Sequence, residues 1–228
     1  MQNAVEPVEK EALQETAYRE IKLSIVEGTF PPGHKLSEPE LAIHLKVSRS
    51  PVREALVRLE QDGFVLRQQN GRVVVAPLDL NELEQLYIVR ANLEGLATRL
   101  AASHLRTIDL DEMTARLTVM RRHVAAHDFP AAIESGQDFH EVILRACPNA
   151  PLAEVLEHLR GRITRFRSVV AGFKDYDLER IEEHQKILDA LYARQPAEAE
   201  AQMVQHITRS AATLIAKLRN RADKADNS

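Results

Sequence analysis

Apolar residues at helical spacing fill the chain beyond residue 77, and this feature constrains the fold more than any other. Apolar side chains recur there every three to four residues, and no alternating strand pattern returns. Pro130, Pro151 and Pro196 come where a helix would begin, since the first turn tolerates a missing N–H. Short connections favour an antiparallel bundle of six helices. We predict helices over about residues 80–104, 109–127, 129–146, 150–171, 176–195 and 197–222.

The composition also favours helices over a β-sandwich or barrel. The 228 residues include six Phe, four Tyr and no Trp, and 44% are apolar, which is enough for a core. The formal net charge is −4, so any affinity for nucleic acid must come from a local patch. One cysteine, Cys147, excludes an intramolecular disulfide and is typical of a reducing compartment. Without a secretory signal or an apolar run near the ~20 residues that span a bilayer, we expect a cytoplasmic protein.

The first 77 residues have a different organisation. Apolar residues at intervals of four predict a helix over residues 9–27. A second, short helix follows Ser37, which has the spacing of a capping box with Glu40. Ser48 is placed to cap a third helix. The apolar stripe of that helix consists of Val52, Ala55, Leu56 and Leu59.

Two short β-runs follow the third helix, at residues 64–66 and 73–75, and the turn between them contains Asn70-Gly71. Three helices and a two-stranded ribbon within about 70 residues outline a winged helix-turn-helix. We therefore predict a mostly α-helical protein of two domains. Residues 1–77 form the winged helix-turn-helix, and residues 78–228 form the helical bundle.

The start of the third helix has the residue types that contact DNA. Arg49 and Arg53 are four residues apart on one face and reach guanine edges or phosphates, while Ser48 and Ser50 are short donors suited to phosphate. Residues 46–72 contain six basic and three acidic residues, so the positive charge is local. Charge alone is also compatible with a solvated helix whose arginines serve solubility. The adjoining turn and wing favour DNA binding.

The N-terminal segment closely resembles the DNA-binding domain of GntR-family bacterial transcriptional regulators. The resemblance lies in residues 25–75, with Gly28, Pro32-Gly33, Leu36-Ser37-Glu38, Leu41-Ala42, the run from Val47 to Leu56, Leu59-Glu60, Gly63 and Gly71. It implies that Arg49 and Arg53 contact operator bases and phosphates with help from Ser48 and Ser50. It also implies that Asn70, Gly71 and Arg72 enter the minor groove. Some FadR-type members have an arginine where this chain has Pro39, so a different sequence preference is expected.

The segment beyond Pro77 resembles the all-helical FCD effector domain of the FadR branch, and its six predicted helices resemble the VanR-like subgroup. This second resemblance lies in Arg90, Leu93-Glu94, Phe139-His140, Asn149, Glu183-His184 and Gln205-His206. It implies a homodimer that binds a palindromic operator and responds to a small carboxylate. Residues 78–228 would then form the effector-binding and dimerisation domain.

His140, His184 and His206 each lie on or beside an apolar helix face, on three different predicted helices. Each alone is compatible with a core histidine satisfied by neighbours or water. Three buried imidazoles without partners would each cost roughly 1–3 kcal/mol, and one shared divalent ion would satisfy them all. Many proteins with the FCD domain bind a metal through three histidines and an acid, and the three histidines match those positions. Imidazole ligands favour Zn²⁺ or Ni²⁺.

The acid of the family's metal site has no counterpart in this chain. It usually stands four residues before the first histidine, where this sequence has Gly136. Asp138 is two residues along the helix and therefore points about 200° away from that position. We expect water or an effector oxygen at the fourth coordination position. His123 and His127, near a helix end, are interpreted as surface residues, and Cys147 as a core thiol.

Arg90 interrupts the apolar seam of Leu86, Leu93 and Ala97, and Glu94 follows one turn later. The pair is compatible with an ordinary ion pair at the rim of the bundle. A guanidinium also recognises a carboxylate with two hydrogen bonds, and the resemblance places this arginine at the effector pocket. Arg162, among apolar residues, is a second candidate for effector binding.

These observations favour a ligand-responsive DNA-binding repressor, not an enzyme. One alternative is a metal-dependent hydrolase with Glu141 or Glu183 as the base. Each of these glutamates is adjacent to a histidine in sequence, which turns it about 100° from the ligand face. A second alternative is a constitutive DNA-binding protein with a structural metal site.

Overall fold

The computed structural model describes residues 7–168 and 179–226. These residues are mostly helical, with one small sheet, as the sequence predicts. The elements in chain order are α1 (Pro7–Val26), β1 (Lys35–Leu36), α2 (Glu38–Leu45), α3 (Arg49–Gln61), β2 (Val65–Arg67), β3 (Val73–Val75), α4 (Leu80–Ala101), α5 (Thr107–Ala125), α6 (Phe129–Ala146), α7 (Ala150–Ser168), α8 (Glu179–Tyr192) and α9 (Pro196–Asp226).

The described residues after Pro77 form six helices, which confirms the predicted number. The predicted bounds of α6 agree with those observed, and α4 ends three residues earlier than expected. Pro130, Pro151 and Pro196 all lie in first turns, as predicted. The predicted end of the fourth bundle helix at 171 and the start of the fifth at 176 lie outside the described residues. No described helix is both long and apolar enough to cross a membrane.

The chain divides into two compact units. The first takes in residues 1–79 and 161–169, and the second takes in residues 80–160 and 170–228. Residues 161–169 thus group with the N-terminal elements, although the sequence analysis placed them in the second domain. The sequence pattern gives no sign of this grouping, because the apolar spacing runs without interruption through α7.

In the first unit, α1 and α2 pack against α3, and α3 contacts β2 of a small antiparallel sheet. Ile21, Val52, Leu56, Leu59 and Phe64 are among the fully buried side chains of its core. The sheet has three strands in the order β1-β3-β2, with Leu36 opposite Val73 and Leu66 opposite Val74. The predicted two-stranded ribbon is confirmed as β2 and β3, and the unpredicted strand β1 adds a third strand to it. β1 has only two residues, which is too short to show an alternating pattern.

The N-caps of α2 and α3 differ from the prediction in their hydrogen bonds. Ser37 and Ser48 occupy the cap positions with extended backbone, but neither side chain bonds to the helix. The predicted capping box of Ser37 with Glu40 is therefore absent. Lys46 follows the last residue of α2 and has a left-handed backbone (φ 56°). The N–H of Lys46 bonds to the carbonyl oxygen of Ile43. This tight end lets α3 begin three residues later.

The second unit is a helical bundle in which α4 lies along α9, and α5 contacts α6 and α8. Its fully buried side chains include Leu83, Met113, Leu117, Phe139 and Ile187. α5 begins two residues before its predicted start at 109. α5 begins at Thr107, and Asp109 is its third residue, where its carboxylate accepts from the backbone N–H of Arg106 at 2.9 Å.

Candidate functional site

His140, His184 and His206 come together inside the second unit. They project from α6, α8 and α9, and one ring nitrogen of each lies within 4.8 Å of those of the others. Ring centroids are 5.3 Å apart for His140 and His184, and 4.3 Å apart for His184 and His206. His184 and His206 are only 2% exposed. Helical periodicity placed each histidine near an apolar face, and the packing of the three helices turns those faces toward each other.

A hydrogen-bond acceptor holds the Nδ1 atom of each imidazole. Nδ1 of His140 donates to Glu94 Oε2 at 2.6 Å, and Nδ1 of His206 donates to Glu183 Oε2 at 2.8 Å. Nδ1 of His184 donates to the carbonyl oxygen of Arg180 at 2.6 Å. Carboxylates and carbonyls only accept, so each Nδ1 carries the proton. In an imidazole that is neutral, Nε2 is then the nitrogen left to bind a metal ion, and such outer hydrogen bonds are typical of metal-binding histidines.

The Nε2 atom of His184 is fully buried and has no hydrogen-bond partner among the described residues. A buried nitrogen without a partner destabilises a fold by roughly 1–3 kcal/mol. A divalent ion that accepts this lone pair would remove that cost. Three histidines whose Nδ1 atoms are all engaged therefore fit a first-row divalent ion better than they fit a plain core.

Two histidines of this cluster, His184 and His206, strongly resist protonation. Burial, followed by the neighbouring charge of His140, lowers the pKa of His184 from 6.5 to about 3. Burial and the adjacent His184 likewise hold the pKa of His206 well below its usual value. Neutral imidazole is the form that binds metal ions, so at neutral pH these two ligands need release no proton from Nε2 before binding.

Glu94 joins two of the predicted site residues, because it contacts both Arg90 and His140. Arg90 Nε lies 2.5 Å from Glu94 Oε1, and the two side chains are only 12% and 14% exposed. Burial would raise the pKa of Glu94, but the charges of Arg90 and His140 outweigh it and keep that pKa well below its usual range. The guanidinium also lies over the ring of Tyr87. Arg90 is thus an internal ion-pair partner next to the histidines.

Gly136 lies beside the cluster, on α6. A Cβ atom at this position would be 3.6 Å from Nε2 of His184 and 3.3 Å from the Cε atom of Met120. An acidic side chain here would point toward the buried Nε2 atom. The position that carries the acid in the family therefore faces the site, and this chain provides only a backbone there.

Glu183 is a contributor to the site that sequence reasoning assigned differently. It is 6% exposed, and while Oε2 accepts from His206, Oε1 pairs with Arg209 Nη1 at 3.0 Å. Glu141, the other base considered for a hydrolase, pairs with Arg160 at 2.6 Å. Both carboxylates are thus engaged in ion pairs. The sequence signal that could have identified Glu183 is its position directly before His184 on the same predicted helix. The structure then packs this helix on α9, which carries His206.

The other candidate residues between 78 and 228 make different contacts from those of the three histidines. His123 pairs with Asp128 at 3.4 Å, and His127 is exposed with a left-handed backbone. Cys147 is half-buried beside a small apolar cluster, and burial raises its pKa. Arg162 belongs to the first unit, where its Nε would lie 3.2 Å from a Cβ atom on Gly63. The structure does not group Arg162 with the histidines.

The predicted DNA-reading residues of α3 share one exposed face. Ser48, Arg49, Ser50 and Arg53 are all exposed, while the predicted stripe of Val52, Ala55, Leu56 and Leu59 is buried. Arg53 is held by Glu38, which accepts from its Nη2 at 3.0 Å. This hydrogen bond and the negative charge of Glu38 raise the pKa of Arg53 further.

The wing of the first unit is an ordered hairpin. Asn70, Gly71 and Arg72 are exposed at its tip, and Asn70 Oδ1 accepts from the Arg72 backbone N–H at 3.0 Å. Gly71 has φ +77°, a left-handed backbone that glycine adopts without strain. Gly71 N–H also bonds to the Gln68 carbonyl at 2.8 Å. The tip therefore presents a defined backbone and one arginine to its surroundings.

Two family models match the chain, one for each part. The model described as bacterial regulatory proteins of the gntR family matches residues 13–75, and that of the FCD domain matches residues 85–209. The chain is 33% identical over 186 residues to the Nta operon transcriptional regulator of Aminobacter aminovorans, covering 78% of this chain and 83% of the relative. It is 29% identical to the HTH-type transcriptional regulator YdhC of Bacillus subtilis, covering 83% and 85%.

Solved structures have the same fold. E. coli McbR/YncC superposes with a TM-score of 0.76 over 90% of this chain and 98% of the other, at 24% identity. A GntR regulator from Rhodococcus sp. RHA1 superposes with a TM-score of 0.71 over 89% and 97%.

The chain thus belongs to the GntR family of DNA-binding transcriptional regulators, with a winged helix-turn-helix and an FCD effector domain. Members of this family bind operator DNA, are typically dimeric and respond to small molecules, and FCD domains often bind a metal ion. The relatives are named as transcriptional regulators and not as enzymes.

Proposed function

We propose that this regulator is a repressor whose operator binding changes when a small carboxylate binds at a metal site in the helical domain. His140, His184 and His206 would hold the ion, with Zn²⁺ or Ni²⁺ favoured by imidazole ligands. The observation that carries the proposal is the fully buried Nε2 atom of His184. It has no hydrogen-bond partner in residues 7–168 and 179–226, and the three Nδ1 atoms of its cluster are all engaged. We retain residues 1–77 and 78–228 as the two functional domains.

In the effector site, the chain's own residues orient ligands and attract an anion. Glu94 and Glu183 hold the rings of His140 and His206, and Arg90, which is paired with Glu94 beside the histidines, is the candidate to bind the carboxylate. A divalent ion supplies a Lewis-acidic position for a carboxylate oxygen. Arg162 is retained as a second candidate for effector binding. A bound carboxylate would favour one arrangement of the bundle and thereby change operator affinity.

On the DNA side, Arg49 and Arg53 would contact bases and phosphates, with Ser48 and Ser50 on the backbone. The wing residues Asn70, Gly71 and Arg72 would enter the minor groove. One recognition helix reads a half-site, so a homodimer on a palindromic operator follows. An operator-binding bacterial protein acts where the chromosome is, in the cytoplasm.

The metal part is tested by stripping the full chain with a chelator and adding Zn²⁺ or Ni²⁺ while the thermal midpoint and metal content are measured. We expect about one ion per chain and a higher midpoint with metal, since an ion that binds only the folded state stabilises it. His184→Ala should remove both effects. His123→Ala, a change to a histidine outside the cluster, serves as the matched control and should retain both. A stripped wild-type chain that gains no stability from any first-row divalent ion would refute the metal site and leave DNA binding untouched.

Gly136 provides a separate test of the open coordination position. Gly136→Asp should bind the ion more tightly, because its carboxylate would face the Nε2 atom of His184. It should also weaken the effect of carboxylates on operator binding, since one position is then filled. Gly136→Ala adds the Cβ atom without the acid and separates steric effects from coordination. Chelator competition measures the first effect and fluorescence anisotropy with labelled duplex the second.

The DNA part is tested with a duplex selected by the wild-type chain from a randomised pool. Arg49→Ala or Arg53→Ala should each weaken binding by about 1–3 kcal/mol. Each lost phosphate contact should also reduce the slope of log K against log salt by about 0.9. Arg121→Ala, an exposed arginine on α5, removes the same charge and should leave binding unchanged. Wild-type affinity in both test variants would remove α3 from the interface.

The same assay separates this proposal from a constitutive DNA binder with a structural metal. A screen of small carboxylates should yield at least one that shifts the affinity for the selected duplex only when metal is bound. Retained metal with no response to any carboxylate would favour the structural site instead.

A further inference from the structure

Arg53 is held from one side by a carboxylate of the preceding helix. Glu38 is the first residue of α2, and both of its oxygens lie 3.2 Å from Arg53 Nε. Glu38 Oε2 also accepts from Nη2 at 3.0 Å. The Glu38 side chain is 27% exposed and that of Arg53 is 64% exposed. The carboxylate is therefore set against the protein, and the guanidinium extends from it into solvent.

The pair leaves one end of the guanidinium open. Arginine has five N–H donors in a planar fork. Glu38 occupies the edge formed by Nε and one N–H of Nη2. The two N–H groups of Nη1 and the second N–H of Nη2 remain at the outer end. That end is the one with which arginine contacts O6 and N7 of guanine in the major groove.

The pair is not needed to hold the two helices together. Buried apolar residues such as Leu41 on α2 and Val52 and Ala55 on α3 belong to one core. Ion pairs at the surface contribute little to stability. A long side chain that is already held loses less conformational entropy when it binds. The effect of the pair is therefore expected in recognition rather than in folding.

Arg49 gives an internal contrast. It lies one turn earlier on the same exposed face of α3. In the part of the chain that the structure describes, no carboxylate pairs with Arg49. Two arginines of one helix face thus differ in whether their guanidinium orientation is set before DNA arrives.

We propose that Glu38 is a positioning residue for operator recognition: it orients Arg53 so that the outer end of the guanidinium reads a guanine. This inference rests on the proposed role of Arg53 in DNA contact. Glu38 itself contacts no base. It increases the preference for guanine by orienting Arg53. Arg49, without such a partner, contributes affinity that depends less on sequence.

The test compares Glu38→Gln with Glu40→Gln in the full chain. Both residues lie in the first turn of α2, so both changes remove the same charge from the same helix end. The probe is the duplex selected by the wild-type chain, together with duplexes in which each guanine is replaced in turn. Glu38→Gln should weaken binding of the selected duplex about threefold to tenfold and flatten its preference for one guanine. Its salt dependence should not change, because no phosphate contact is lost. Glu40→Gln should behave as wild type.

A double-mutant cycle then assigns the effect to Arg53. Adding Glu38→Gln to Arg53→Ala should change affinity no further, because the residue being positioned is gone. Adding it to Arg49→Ala should give the sum of the two single effects. Matching thermal midpoints for Glu38→Gln and Glu40→Gln would confirm that folding is not the cause.

Two results would overturn the proposal. The first is tighter binding of Glu38→Gln to every duplex alike, which would make Glu38 a source of repulsion without a positioning role. The second is an effect that adds fully to that of Arg53→Ala, which would place the action of Glu38 elsewhere. Wild-type binding by Arg53→Ala alone is a different failure, since it removes the DNA contact of Arg53 and not only the role of Glu38.

Discussion

At the scale of single residues, two glutamates connect arginines to histidines of the cluster. Glu94 bridges Arg90 and His140, and Glu183 bridges Arg209 and His206. A carboxylate has enough acceptor positions for both partners, and its charge compensates the guanidinium. The orientation of each imidazole therefore depends on an ion pair one step away. Substitution of the arginine is expected to affect the histidine as well.

Arg90→Ala should be strongly destabilising. It removes one partner of a pair whose side chains are 12% and 14% exposed and leaves the Glu94 charge less compensated. Breaking a buried pair in this way costs about 3–5 kcal/mol. Arg99→Ala, on the same helix, breaks an exposed pair with Glu200 and should cost at most about 1 kcal/mol. Urea unfolding of the metal-free chains measures both. Equal losses in the two variants would contradict the bridging role of Glu94.

Asp109 gives a prediction about acid stability. Hydrogen bonds from the Arg106 side chain, and then from its backbone N–H, lower the pKa of Asp109 from 3.8 to about 2. At a pH between these two pKa values, the unfolded chain binds more protons than the folded chain. The stabilisation from the bonds of Asp109 is therefore complete above about pH 4 and is lost as the pH falls toward 2. Asp109→Asn should flatten the dependence of the unfolding free energy on pH in this interval. Asp111→Asn, an exposed neighbour on α5, should retain the wild-type slope. A slope unchanged by Asp109→Asn would argue against the bond.

At the scale of elements, α4 and α9 approach closely at Gly95. A Cβ atom on Gly95 would lie 2.6 Å from Val204 Cγ2 and 3.4 Å from the carbonyl oxygen of Glu200. Real Cβ atoms do not come so near, so the helices meet here because this position has no side chain. The cluster depends on this packing, since α9 carries His206 and α4 carries Glu94.

Gly95→Ala should therefore lower the unfolding free energy by about 1–3 kcal/mol through overpacking, even though alanine favours a helix by about 1 kcal/mol. Val204→Ala removes the obstructing methyl groups. The double variant Gly95→Ala/Val204→Ala should thus recover most of the loss relative to Val204→Ala alone. Thermal unfolding of the four chains gives the coupling. A Gly95→Ala chain as stable as wild type would show that α4 and α9 separate easily.

At the scale of the whole molecule, an excess of positive charge is confined to one segment of an acidic chain. The formal net charge is −4, while residues 46–72 contain six basic and three acidic residues. The chain as a whole therefore does not attract DNA, and its affinity depends on placing the recognition helix and wing. A single basic segment of this size reads only a short stretch of DNA. Specific binding thus calls for two such segments on one site.

We expect the full chain to be a dimer at micromolar concentration without DNA. Sedimentation velocity measures its mass against the 25.7 kDa of one chain. A titration with the selected duplex should saturate at two chains per duplex, because each recognition helix occupies one half-site. A monomer that binds a single half-site tightly would contradict the dimer.

The sequence by itself determined the elements, the winged helix-turn-helix and the three histidines. Helical periodicity, prolines in first turns and the Asn70-Gly71 turn are local signals that act over a few residues, and the observed α3 and α6 follow them closely. Those signals predicted neither the two-residue strand β1 nor the lack of hydrogen bonds from the Ser37 and Ser48 side chains to their helices. A strand that short has no period, and a cap residue does not fix its own rotamer.

Only the tertiary structure decided which partners the site residues have. Glu94 and His140 are 46 residues apart, His206 and Glu183 are 23 apart, and Glu38 and Arg53 are 15 apart on different helices. Residues 161–168 group with the N-terminal unit although they belong to α7, which begins in the bundle. Periodicity gives the face on which a residue lies, whereas a side-chain bond also requires the neighbouring helix at the right distance and rotation. That placement is set by the packing of the whole core.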